Sequence, residues 1–146
     1  YADFLPVPIY VTGERDPINL MAPPWEEEQP LEAIRAYIQR AYGGAKPLCI
    51  FPLRDAKVPV GHDTLTIPLA GFLFVPPGSV ASVREYGDVS IYIRRMFICD
   101  RERDLLPNWA RFVRGVIECP LLQPTASREG IHQDENFDLV RRALES

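Results

Sequence analysis

The chain has 146 residues, 47% of them apolar, enough for one domain with a buried core. Sixteen Lys and Arg against twenty Asp and Glu leave a net charge of −4, which excludes a whole-domain electrostatic drive towards nucleic acid or an anionic membrane. No apolar run reaches the roughly 18 residues of a spanning helix, and Cys49, Cys99 and Cys119, at wide spacing, match neither a disulfide framework nor a zinc site and suit a reducing cytoplasm.

Tyr1 to Val11 reads as extended, since Pro6 and Pro8 oppose helix and Ile9, Tyr10 and Val11 favour strand. Gly13 to Pro17 is a turn or short linker. Ile18 to Pro30, with Pro23, Pro24, Trp25 and Pro30, is irregular and leads into a helix whose face is Leu31, Ile34, Tyr37, Ile38 and Ala41. Gly43-Gly44 ends it.

Three strand candidates follow: Pro47 to Leu53, Leu65 to Val75 and Val89 to Ile98. In the last, alternation places Val89, Ile91, Ile93, Arg95 and Phe97 on one face and Ser90, Tyr92, Arg94, Met96 and Ile98 on the other. Each face thus carries an arginine, which either snorkels or pairs with carboxylates at the sheet edge, or acts directly in function. Pro76-Pro77-Gly78 ends one strand and Gly87-Asp88 precedes the next.

Leu106, Trp109, Ala110, Val113 and Val116 or Ile117 recur at helical spacing, with Pro107 in the first turn and Arg111 and Arg114 on the other side, and predict a short amphipathic helix with a buried Trp109. Pro120, Gln123, Pro124 and Thr125 oppose helix until Ser127, which can start a new turn and leaves Arg128 on a loop. The last helix starts near Asp134 and buries Phe137, Val140, Ala143 and Leu144. These elements predict an α/β sandwich in one domain.

The sequence lacks a phosphate-binding glycine loop, a G-x-S-x-G elbow and an H-E-x-x-H motif. His62 sits in a turn and His132 near Arg128; neither suggests a metal, and no metal site is expected. Arg128 is the one candidate for chemistry: a guanidinium keeps its charge and presents a planar fork suited to phosphate oxygens. An ordinary surface arginine is the alternative.

The run Leu106-Pro107-Asn108-Trp109-Ala110-Arg111-Phe112-Val113-Arg114-Gly115-Val116, followed without a gap in spacing by Thr125-Ala126-Ser127-Arg128-Glu129, resembles the middle segment of the heat-shock protein 90 chaperones. Leu73-Phe74-Val75-Pro76 and Ile91-Tyr92-Ile93-Arg94-Arg95-Met96-Phe97-Ile98 resemble its central strands, and Ile18-Asn19-Leu20 with Pro24-Trp25 the opening of the middle domain. The chain departs from the family in Leu122-Gln123-Pro124-Thr125-Ala126, where Leu-Pro-Leu-Asn is usual, and at His132, where glutamine is usual, although Gln133 follows.

The resemblance implies an αβα sandwich with a mixed central sheet. It implies residues 1–16 as the tail of a nucleotide-binding domain with a short linker, and 17–146 as the first part of the middle domain, in a piece of a longer bacterial or organellar protein. It implies that Arg128 is catalytic and meets the γ-phosphate of ATP held with Mg2+ by the amino-terminal domain, with Gln133 as a second cofactor-binding residue, while Trp25 is either a client or partner contact or a buried anchor. The implied partners are the amino-terminal ATPase domain, client proteins and co-chaperones, with a homodimer formed through a separate carboxy-terminal domain; no nucleic acid or membrane is expected. The piece alone would be a monomer that neither holds ATP tightly nor hydrolyses it, within a cytoplasmic, weakly ATPase-active parent. A protein-interaction module without ATPase coupling and a free-standing small-molecule enzyme are the other readings, the latter lacking any nucleophile, base and orienter set.

Overall fold

Pro30 begins helix α1 (Pro30–Ala41), and Ile34 and Ile38, one turn apart, are fully buried. Its end is a glycine cap: Gly43 has φ +64°, and the Gly44 N–H donates to the Gln39 carbonyl at 2.7 Å, satisfying an otherwise orphaned acceptor. In the computed structural model of the chain, residues 4–19, 22–78, 89–102, 104–110, 112–127 and 129–146 are described. Gly87-Asp88, Arg111 and Arg128 lie outside them.

Among the described residues seven strands follow the helix: β1 (Cys49–Leu53), β2 (Ala56–Val60), β3 (Asp63–Ile67), β4 (Ala70–Val75), β5 (Val89–Ile93), β6 (Met96–Glu102) and β7 (Arg114–Glu118). Five form one sheet in the order β1-β4-β7-β5-β6, mixed because β5 and β7 run parallel while the other pairs are antiparallel. β2 and β3 make a separate hairpin, with Gly61 at φ +62° and His62 in its two-residue turn. The apolar run Leu65 to Val75 is therefore two strands in two sheets, divided at Pro68-Leu69.

Alternation along the strands divides the core in two. Phe72, Phe74, Tyr92 and Val116 point towards α1 and meet Ile34, Ile38 and Phe4. Val89, Ile91, Ile98 and Ile117 point the other way, into a cluster with Val58 and Ile67 of the hairpin and Phe137, Val140 and Ala143 of helix α2 (Glu135–Glu145). The layers are helix, mixed sheet, then hairpin with helix. At the front, the Asn19 side chain accepts the Ile9 N–H and donates to the Leu5 and Val7 carbonyls at 2.8–3.0 Å.

Gly71 of β4 pairs with Ile117 of β7, and Gly115 of β7 with Leu73 of β4. A Cβ at either would lie 2.1 Å from the Val116 or Phe72 carbonyl oxygen, with φ at +113° and +156°. Only glycine fits.

Two further expectations from the sequence are corrected. Leu106 to Ile117 is not a helix: Asn108–Ala110 is a single 3-10 turn and Arg114–Glu118 is the central strand β7. The branched residues Val116 and Ile117 are buried on opposite faces of that strand, so sheet pairing overrides the helical spacing. Val89 to Ile98 is likewise not one strand. It is a hairpin with a two-residue turn at Arg94-Arg95, which have φ +50° and +65°, so these arginines are not on opposite sheet faces.

Candidate functional site

The loop that carries Arg128 is closed at its base by backbone bonding. Pro124 and Ile131 form an antiparallel bridge, the Thr125 N–H donates to the Gly130 carbonyl at 2.9 Å, and the His132 N–H donates to the Gln123 carbonyl at 2.8 Å. Leu122 and Ile131, on either side, are buried in the larger core. At the tip, the Thr125 and Ser127 hydroxyls share a hydrogen bond of 3.2 Å, and Ser127 and Glu129 are exposed. Arg128 itself is outside the described residues.

Past the loop, Asp134 caps α2, its carboxylate accepting the Phe137 N–H at 2.9 Å, a cap worth about 1 kcal/mol. The helix thus begins where the sequence predicts, at Asp134 rather than at Ser127. Gln133, between Ile131 and this cap, extends its amide to Asp104 Oδ2 at 3.1 Å, and the Asp104 N–H in turn reaches Glu102 Oε1 at 3.1 Å. Nothing in the sequence singles out Asp104, which ends the alternating charges Asp100-Arg101-Glu102-Arg103-Asp104 as an ordinary surface carboxylate would.

Trp109 is on the segment that Asp104 begins. Leu105, Leu106, Ala110 and Val113 fill the same core cluster as Leu122 and Ile131, while Trp109 is 68% exposed and Phe112 37%. The expected buried tryptophan is therefore corrected: in a 3-10 turn the inward positions fall to its neighbours.

Trp25 lies on the opposite face of the sheet, in the 3-10 turn Pro24–Glu26. Its ring is half-buried and meets Phe4 edge-on at 5.0 Å and Phe72 at 6.0 Å, the packing of an anchor. The neighbouring Glu26 forms an ion pair with Arg95 at 2.7 Å. Glu118 Oε1 accepts the Arg95 backbone N–H at 2.8 Å. Burial raises the Glu118 carboxyl above its ordinary range; the Arg95 N–H opposes that shift, Glu26 adds to it, and the Arg95 charge and Trp25 indole oppose it. The indole N–H makes no well-formed hydrogen bond, so its influence there is weak. A cleft of about 290 Å³ beside the turn is lined by Glu26, Asp55, Arg94, Glu118 and Leu69 among others.

The structure thus gathers Asp104, Gln133, Trp109 and the Thr125–Gly130 loop around one core cluster and leaves Trp25 on the other face. Among the described residues no group of three His, Cys, Asp or Glu side chains could hold a metal ion, and no helix is long and apolar enough to cross a membrane.

The family model described as Hsp90 protein matches residues 66–145, more than half of the chain, a span that includes Asp104, Trp109 and the loop from Pro124 to Ile131. The chain belongs to the Hsp90 family.

Its relatives include the chaperone protein HtpG of Salinispora arenicola, 29% identical over 99% of this chain and 24% of the relative. The HtpG of Frankia casuarinae is 48% identical over 38% of the chain and 9% of the relative. The chain therefore spans about a quarter of the length of the first of these. In fold it is similar to the middle domain of a Plasmodium falciparum protein assigned as a heat shock protein, with a TM-score of 0.51 at 16% identity, covering 82% of this chain and 44% of that one. That likeness agrees with the mixed sheet between its helical layers and with the α/β fold expected from the sequence.

Proposed function

We propose that this Hsp90-family segment serves as the middle domain of an ATP-dependent chaperone, assisting protein folding by binding clients and by lending Arg128 to the ATPase site of an amino-terminal domain. In this reading residues 1–16 end the nucleotide-binding domain and its linker, residues 17–146 form the first part of the middle domain, and ATP with Mg2+ is held by the preceding domain. The protein would act in the cytoplasm, in the stress response, as a homodimer joined through a separate carboxy-terminal domain, with co-chaperones as further partners.

The observation that carries the reading is the loop from Pro124 to Ile131, closed by backbone bonds at its base and rooted in the core by Leu122 and Ile131. A charge intended for a phosphoryl group on another domain gains from such a fixed root, because positioning and charge stabilisation supply nearly all of phosphoryl-transfer catalysis. The guanidinium of Arg128 would neutralise charge developing on the phosphoryl oxygens.

In the full-length chaperone, Arg128→Ala is expected to cut turnover at least tenfold, about 1.4 kcal/mol of barrier, with ADP affinity and melting temperature close to wild type. Arg128→Lys should rescue poorly, since an ammonium lacks the planar fork. Arg142→Ala on the exposed side of α2 is the control. Equal ATPase rates for wild type and Arg128→Ala would favour the second reading, an interaction module without ATPase coupling. The exposed pair Trp109 and Phe112 gives that reading its support.

A further inference from the structure

We infer that Asp104 and Gln133 are positioning residues for the loop that carries Arg128, Gln133 acting through Asp104 rather than on phosphate; this rests on the proposed role of Arg128. The Gln133 Nε2 to Asp104 Oδ2 bond joins segments 29 residues apart. Each end stands on fixed backbone. Asp104 is held by its N–H to Glu102 and followed by the buried Leu105 and Leu106. Gln133 lies between the buried Ile131 and the Asp134 cap.

Neither the core nor the helix needs this bond. Both are complete without it: Ile131, Leu105 and Leu106 are packed by apolar contacts, and α2 is capped by Asp134. What the bond does fix is the exit of the loop relative to the neighbouring segment that presents Trp109. The loop's own backbone bonds set its internal shape and Leu122 and Ile131 root its base, while the Gln133 to Asp104 bond ties its exit, beyond that base, to the segment of Trp109. With its amide committed to Asp104, Gln133 orients the loop's exit.

The chemistry of the pair gives the test a sign. A lysine at position 133 still reaches a carboxylate, whereas a glutamate there repels it. Steady-state ATPase measurements on the full-length chaperone should compare wild type, Gln133→Ala, Asp104→Ala, the double variant, Gln133→Lys, Gln133→Glu and Gln133→Lys in the Asp104→Ala background. Each alanine variant is expected to lower kcat by about threefold to tenfold, the population change one hydrogen bond can impose, with KM for ATP and melting temperature nearly unchanged. The double variant should be no worse than either single, because one bond is lost only once. Gln133→Lys should recover most of the rate, Gln133→Glu should not, and the lysine should give no recovery without Asp104.

Wild-type kcat in Asp104→Ala, additive losses in the double variant, or failure of Gln133→Lys to recover activity would each overturn the inference. A loss in Gln133→Ala with none in Asp104→Ala would place Gln133 on the nucleotide instead. Arg128→Ala run alongside separates the two failures. If it turns over at the wild-type rate, the role of Arg128 falls and this inference with it; if it is impaired while both alanine variants are not, only this inference falls.

Discussion

Glu118 reaches across from the end of β7 to accept the backbone N–H of Arg95 at 2.8 Å, and in doing so it holds a turn in which two arginines have positive φ. Two-residue hairpins of this kind ordinarily use Asn-Gly, because a side chain at positive φ costs about 1–3 kcal/mol. The Arg95 to Glu26 ion pair contributes little, both partners being partly exposed. The carboxylate is therefore the main local support of the turn.

Glu118→Ala should destabilise the fold by about 1–2 kcal/mol in denaturant melts, since the Arg95 N–H loses its acceptor, whereas Glu118→Gln keeps one and should cost less. Equal losses would mean that the acceptor is not what matters.

The same carboxyl makes stability depend on pH. Burial raises its pKa in the folded state above 4.5, so the folded protein binds the proton more tightly than the unfolded chain. The resulting stabilisation is complete below the unfolded pKa and is lost as pH rises through the raised folded value. Melting temperatures of Glu118→Gln should therefore gain on wild type from about pH 4 upward and level off above the raised value. A pH-independent difference would contradict the assignment.

Arg94→Asn should stabilise the chain by about 0.5–1 kcal/mol, because asparagine tolerates positive φ and none of the turn's described bonds uses the Arg94 side chain. Chemical denaturation decides it. A loss of stability would mean that the Arg94 side chain has a role in the adjoining cleft.

Trp109→Ala should cost less than about 1 kcal/mol, against about 3–5 kcal/mol for Phe137→Ala, which opens a cavity under α2. Tryptophan emission adds a check: Trp109→Phe should remove the solvent-exposed component and leave the bluer signal of Trp25. Unchanged emission would put Trp109 inside.

Thiol titration with an aromatic disulfide at about pH 8 should find Cys49 reacting first, since it is exposed while Cys99 and Cys119 are buried. Burial, with Glu102 and Asp100 nearby, pushes the Cys99 thiol up to about 11, and burial also raises Cys119. All three should react at once in denaturant. Fast reaction of two or more in the native protein would count against the buried placement.

Both helices were legible because their signals are local: Pro30 and Gly43 bracket α1, while Asp134 with Phe137, Val140 and Ala143 marks α2. The Arg94-Arg95 turn was illegible because neither residue is a turn former and the alternation continues through it. What stabilises that turn is Glu118, 23 residues away. β7 was misread because Leu106, Trp109, Ala110 and Val113 do share helical spacing, although only a 3-10 turn forms there. Gly115, which reads as a poor helix residue, was the available hint; its reason, the carbonyl of Phe72, belongs to another strand. At the candidate site, the Arg128 motif was visible as a pattern, whereas the bond between Asp104 and Gln133 joins two residues that separately look like solvated surface.

The strand that joins the two halves of the sheet is the last of them to be synthesised. Until residues 114–118 arrive, β1 with β4 and β5 with β6 are two separate antiparallel pairs, each with an open inner edge where β7 will lie. Such edges invite pairing with other chains, so a nascent or truncated product ending before Arg114 is the form most exposed to aggregation. The Arg128 loop follows β7 directly and takes its root from the core that β7 completes. A half-made molecule therefore cannot hold that loop in its organised form.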